Sequence, residues 1–119
     1  MKYRYSVVSG QTNVNGSYTK RPVVEIELSR GPHRRKFLAL IDSGADQIMM
    51  PAAIAEAVEG FISHLTFRIA QQADAFDAPV IFIDTDVPVL LGREGFFDRY
   101  RVKFEQDHDT FEIVAAPSR

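Results

Sequence analysis

The chain has 119 residues, 45% of them hydrophobic and 25% charged, with a formal net charge of −2, as expected of a single globular domain with a modest core over residues 1–119. That charge provides no field to hold a polyanion, so no nucleic acid is expected as a partner. The absence of cysteine excludes disulfides, thiol chemistry and zinc sites that need thiolate ligands. The first residues have no apolar signal core and no run reaches membrane-spanning length, so no membrane partner is expected and a cytoplasmic location is.

Residues 3–8 predict a short strand, and residues 9–19 a polar loop with turn signals at Ser9-Gly10 and Asn15-Gly16. Asn15-Gly16-Ser17 also spells a glycosylation acceptor, which without a signal peptide reads as a turn. Residues 23–28 alternate, Val24, Ile26 and Leu28 on one face and Glu25 and Glu27 on the other, the pattern of a half-buried strand. Arg30-Gly31-Pro32-His33-Arg34-Arg35 predicts a hairpin turn with solvated basic residues. Residues 36–41 are nearly all apolar, as in a central strand buried on both faces.

That strand ends in Asp42-Ser43-Gly44-Ala45-Asp46, and the apolar pattern resumes at Ile48-Met49-Met50 before Pro51. Pro51 suits a first helical position, and Ile54 and Val58, four apart, predict about two helical turns ended by Gly60. Residues 61–69 return to period two, with Leu65, Phe67 and Ile69 inward and His64, Thr66 and Arg68 outward. A polar connection over 71–77 leads to a buried strand at 80–83 and then Asp84-Thr85-Asp86. These acids, with Asp74 and Asp77, lack the loop glycine and terminal glutamate of an EF-hand. His33, His64 and His108 stand at no metal-ligand spacing, so no metal site is expected. Residues 87–91 run into Gly92-Arg93-Glu94-Gly95, and 96–100 predict one or two helical turns. A hairpin over 101–106 and 110–114 crosses Asp107-His108-Asp109, and residues 115–119 fray. About seven strands and two short helices predict an all-β domain, mainly antiparallel, with a closed barrel-like or sandwich core.

Asp42 has an apolar run on both sides, and a carboxylate so placed needs partners or a task. Ser43-Gly44 as a two-residue hairpin turn, with Asp42 bonding its own backbone, is the simplest reading of the stretch alone. An N-cap is too far from a helix that starts at Pro51. A catalytic acid stays open beside the turn, with a hydroxyl at Ser43 and close backbone approach permitted at Gly44.

Taken with Val87-Pro88-Val89-Leu90-Leu91-Gly92-Arg93, however, Ala39-Leu40-Ile41-Asp42-Ser43-Gly44-Ala45-Asp46 resembles the retropepsin-like aspartic proteases, over about residues 22–114. In that family the first motif carries the catalytic aspartate. The second, apolar-apolar-Gly-Arg at the head of a C-terminal helix, packs under the active-site strand. The stretch from Leu90 to Arg99 is similar to bacterial members. The resemblance implies an acid-protease fold with Asp42 as the catalytic carboxylate. Ser43 would interlock with its symmetry mate through backbone hydrogen bonds, Gly44 would offer its carbonyl to the substrate backbone, and Ala45 would support the loop. Asp46 would line the substrate site and pair with Arg93, a bidentate bridge suited to a largely apolar site. Leu91 and Gly92 would be structural.

Hydrolysis by such a site needs two carboxylates sharing one proton. The chain has one Asp-(Ser/Thr)-Gly, so the resemblance implies a homodimeric endopeptidase acting on a peptide or protein substrate, with no metal or cofactor. One segment departs from the pattern. The family's flap hairpin between the helix and the strand at 65–69 is reduced here to residues 59–64, which look like its returning arm alone. A catalytically weak or inactive dimerisation or peptide-binding module is therefore the alternative.

Overall fold

Almost every stretch with period-two alternation forms a strand, and several polar stretches do so as well. The computed structural model describes residues 1–12, 14, 16, 18–57, 64–72, 74–84 and 88–117. Within them the strands are β1 (Lys2–Arg4), β2 (Ser6–Thr12), β3 (Tyr18–Arg21), β4 (Val23–Arg30), β5 (His33–Ile41), β6 (Ile48–Pro51), β7 (His64–Ile69), β8 (Ala75–Ile83), β9 (Val89–Leu91), β10 (Tyr100–Glu105) and β11 (Thr110–Ala115). One short helix, α1 (Ala53–Ala57), follows β6, and a 3₁₀ turn (Gln106–His108) joins β10 to β11. No helix among the described residues is long and apolar enough to cross a membrane.

The fold is all-β. Six strands close into a barrel in the order β4-β5-β9-β6-β8-β7, each paired with a neighbour on both sides over at least part of its length. Its pairings are antiparallel except β5 with β9 and β6 with β8. A β1-β11-β10 sheet and a β2-β3 ribbon complete the chain. Val24, Ile26 and Leu28 of β4 point inward as their alternation predicts, against Leu65, Phe67 and Ile69 of β7. The same apolar cluster takes in Phe111 and Ile113 of β11, so barrel and terminal sheet share one core. Gly31, at φ 56, takes the first central position of the β4–β5 turn ahead of Pro32, whose φ is fixed negative, the combination a type II′ hairpin uses.

Several sequence expectations are corrected. The first strand is two, broken at Tyr5, whose N–H donates to the Asp109 carbonyl at 2.8 Å. The polar loop at 9–19 is in part the β2–β3 hairpin, and the Asn15-Gly16-Ser17 acceptor falls mostly outside the described residues. Pro51 closes β6, paired with Ile83, instead of opening the helix, while Val58, Gly60 and residues 61–63 lie outside the described residues. β8 begins at Ala75, well before the expected start at Val80. Asp77 and Pro79 resemble loop residues, yet both sit on the outer face of β8, where Asp77 accepts a 2.6 Å bond from the Thr66 hydroxyl. Of Asp84-Thr85-Asp86 only Asp84 is described. Residues 96–99 form successive turns and no α-helix, Tyr100 already opens β10, and the Gly95 N–H donates to the Asp98 carboxylate at 3.1 Å. Residue 115 belongs to β11, and the Ala116 N–H reaches the Arg99 carbonyl at 2.9 Å, so the tail is ordered further than expected.

Tyr3 ties the terminal sheet to the barrel. Its ring stacks on Phe111 at 5.3 Å, and its hydroxyl donates to the Ala70 carbonyl and accepts from Gln72 at 3.2 Å. Burial pushes the hydroxyl of Tyr3 above the ordinary tyrosine value of 10.0, against a lesser opposing effect of the Gln72 bond, and burial does the same to Tyr100. A phenol that keeps its proton longer in the folded chain than in the unfolded one adds stability below the unfolded value. That stability is lost as pH rises through the folded value. Thermal unfolding followed by circular dichroism should therefore show a midpoint that falls above about pH 10, less steeply in Tyr3→Phe.

Candidate active site

The 42–47 segment joins β5 to β6, but those two strands do not pair with each other. β9 lies between them, parallel to β5 through Ala39↔Val89, Leu40↔Leu90 and Ile41↔Leu91, and antiparallel to β6 at Met49↔Leu90. The two-residue hairpin reading of Ser43-Gly44 is thereby excluded. The segment is an arch over the end of β9, and the chain leaving β9 is bonded to its underside. The Asp42 N–H donates to the Leu91 carbonyl at 3.1 Å, while Arg93 and Glu94 N–H groups donate to the Ala45 and Asp46 carbonyls, each at 2.8 Å. Gln47 and Glu94 form a further parallel bridge.

Gly92 is the tightest point of this crossing. A Cβ there would stand 2.2 Å from the Gln47 carbonyl oxygen and 2.7 Å from that of Ala45, so only glycine fits beneath the arch. Leu91, fully buried, and Ala45, at the edge of burial, hold the two sides of the crossing in the core.

At the top of the arch the Ala45 N–H closes a turn onto the Asp42 carbonyl at 3.1 Å, and the Gly44 N–H donates to Asp42 Oδ1 at 2.9 Å. This fixes one carboxylate oxygen and leaves Oδ2 without a hydrogen bond among the described residues. Ser43 and Gly44 are exposed and Asp42 is half-buried. An added Cβ on Gly44 would press on Asp42 Oδ1 at 3.1 Å, so a side chain there would disturb the carboxylate first.

Asp46 and Arg93 are brought together, but not as a buried bidentate bridge. Arg93 Nη1 lies 3.7 Å from Asp46 Oδ1, and the side chains are 70% and 89% exposed. Two exposed charges at that distance contribute little after screening and side-chain ordering. Arg93→Ala should lower the stability of the chain by less than about 1 kcal/mol in urea unfolding, since the Arg93 backbone bond to Ala45 is retained.

The structure adds residues that the sequence reading left out. β5 was expected to be buried on both faces, yet Leu38 is 66% exposed and only Ala39 and Ile41 are fully inside. Alternation along β5 puts Leu38 and Leu40 on the outer face, the face toward which Asp42 then points. The strand registers extend this into a row across the barrel wall, Val23↔Leu40, Leu40↔Leu90, Leu90↔Met49 and Met49↔Ile81. None of the row is fully buried, and Ile81 is 37% exposed. The signal was present in the sequence: a strand apolar in both phases, whose second face this chain does not cover.

Among the described residues no group of three or more His, Asp or Glu could hold a metal ion. A surface groove of about 240 Å³, lined by residues such as Glu25, Lys36 and Arg68, involves none of the arch residues. In one chain Asp42 therefore lies on an open surface beside an apolar row, with Oδ2 free of hydrogen bonds from the described residues. The chain matches no known protein-family profile and no curated protein.

Proposed function

We propose that two copies of this chain form an aspartic endopeptidase of the retropepsin-like type, with an Asp42 contributed by each. The observation that carries this reading is the locked arch, in which Gly92 fits only as glycine and Asp42 stands with one oxygen fixed by Gly44 and the other free. Such backbone constraint around a surface carboxylate fixes where it points. The exposed Ser43 at the arch tip is available to a second copy, and the row from Leu40 to Ile81 offers apolar contacts to substrate side chains beside the carboxylate.

In the proposed dimer the two Asp42 carboxyls share one proton. The ionised one takes a proton from a water as its oxygen attacks the scissile carbonyl carbon, and the protonated one gives its proton to the carbonyl oxygen. As the tetrahedral species collapses, one of its hydroxyls returns a proton to the dyad and the amine nitrogen takes one from it, so the C–N bond breaks and the dyad again holds a single proton. Each copy supplies one of the two carboxylates, with its orientation and apolar surroundings.

One observation favours a second reading, a peptide-binding or dimerisation module with little or no turnover. The connection from α1 to β7 is residues 58–63, outside the described residues and too short for a hairpin that would close over substrate and exclude water. Incubation with an unstructured protein between about pH 4 and 7, alongside sedimentation, separates the two. Cleavage by a dimer supports the endopeptidase; a dimer that binds peptide without cutting it supports the module; a strict monomer at high concentration overturns both.

A further inference from the structure

The outer half of β5 is an open sheet edge. β4 pairs with β5 from His33 to Leu40, whereas β9 pairs only with Ala39, Leu40 and Ile41. The Ile41 N–H donates toward β4, to the Pro22 carbonyl at 3.0 Å, and the Asp42 N–H donates away from it, to Leu91 at 3.1 Å. Amides alternate sides along a strand, so those of Arg35 and Phe37 face β4. The amides and carbonyls of Arg34 and Lys36, with the amide of Leu38, face an edge that no described strand covers, while the Leu38 carbonyl meets the start of β9 through the parallel pairing at Ala39↔Val89.

The side chains on this edge are strongly basic. Arg34 and Lys36 stand on the outer face with Leu38, and Arg35 stands on the opposite face, in register with Leu28. All four are exposed. Lys36 is matched by Glu25 at 3.7 Å and stands opposite Glu27 on β4, so the uncompensated charge is that of Arg34 and Arg35. Arg34 and Arg35 form no ion pair among the described residues, and Arg35 Nη1 is placed on the Arg34 carbonyl at 3.0 Å, one of the edge acceptors. The chain as a whole is mildly acidic, so this concentration of positive charge is local.

We propose that the His33–Leu38 edge of β5 docks an extended acidic segment of a partner protein by strand addition. The backbone of such a segment would bond to Arg34, Lys36 and Leu38. Successive side chains of an added strand fall on opposite faces, so two consecutive acids would meet Arg34 on one face and Arg35 on the other, displacing Arg35 from the Arg34 carbonyl. A neighbouring apolar residue would cover Leu38. A second copy of the chain is a poor occupant, because antiparallel self-pairing about Lys36 sets lysine against lysine. A nucleic acid would use the charge but not the amides. The inference goes beyond the endopeptidase reading and does not depend on it.

The test uses the full chain carrying Asp42→Asn, so that binding is read without cleavage. The probe is a fluorescein-labelled octapeptide with a Glu-Glu-Leu core among valines and threonines. Fluorescence anisotropy should show saturable binding, weakened by about tenfold or more with Gln-Gln in the peptide or with Arg34→Glu/Arg35→Glu in the protein. Hydrogen exchange should then show protection gained at the amides of Arg34, Lys36 and Leu38, with those of Arg35 and Phe37 little changed because β4 already holds them. No binding at millimolar peptide overturns the proposal. So does binding without the alternating protection, or a single-stranded oligonucleotide that binds as tightly as the peptide; each would leave a bare electrostatic patch.

Discussion

Gly92→Ala should destabilise the chain by about 3 kcal/mol or more, enough to leave a small domain largely unfolded. The Cβ would fall 2.2 Å from the Gln47 carbonyl oxygen and 2.7 Å from the Gln47 carbonyl carbon and the Ala45 oxygen. All three are backbone atoms, so no rotamer change relieves the clash. The arch can rise only by breaking the 2.8 Å bonds from Arg93 and Glu94 that fasten it to the strand beneath. Equilibrium urea unfolding measures the loss directly. A change below about 1 kcal/mol would mean that the arch is loosely held, and the positioning of Asp42 would lose its physical basis.

Asp42→Asn should abolish peptide hydrolysis, lowering kcat by about a thousandfold or more, while leaving the fold intact. The asparagine oxygen can still accept the Gly44 N–H that Asp42 Oδ1 accepts at 2.9 Å, so the turn at the top of the arch survives. What is lost is a group able to take and return a proton. Cleavage of an unstructured protein by purified wild-type and variant chains, with their circular dichroism spectra overlaid, separates lost chemistry from lost structure. Turnover unaffected by the change would remove Asp42 from the reaction.

The barrel was legible where burial is decided locally. Val24, Ile26 and Leu28, and Leu65, Phe67 and Ile69, announce their strands by alternation and take the expected faces. Strand β8 was read too short because Asp77 and Pro79, which suit a loop, are tolerated on its outer face. Residues 96–100 look helical, but 96–99 are held as turns and Tyr100 opens β10, with Phe97 and Asp98 bonded back to Gly92 and Arg93 and with Gly95 at φ 93.

The candidate site was legible as a pair of motifs but not as a geometry. No local pattern says that β9, far along the chain, inserts between β5 and β6, and that insertion is what turns Ser43-Gly44 from a hairpin turn into an arch. Exposure of the Asp46–Arg93 pair was equally hidden, since the motif specifies its partners and not the solvent around them. The double-faced apolar pattern of β5 was read as burial within one chain. Leu38, Leu40 and Leu90 instead face outward, Leu40 and Leu90 beside Asp42, where a substrate would meet them in the proposed dimer.

The central claim is that each chain holds half of a two-carboxylate site, and mixing tests it most directly. Wild-type chain is combined with Asp42→Asn at fixed total concentration, under conditions where sedimentation shows exchanging dimers, and peptide cleavage is measured against the wild-type fraction. If both carboxylates must come from intact copies, activity falls with the square of that fraction, to about one quarter at equal mixing. A linear fall, to about one half, would show that one Asp42 suffices and would contradict the shared site.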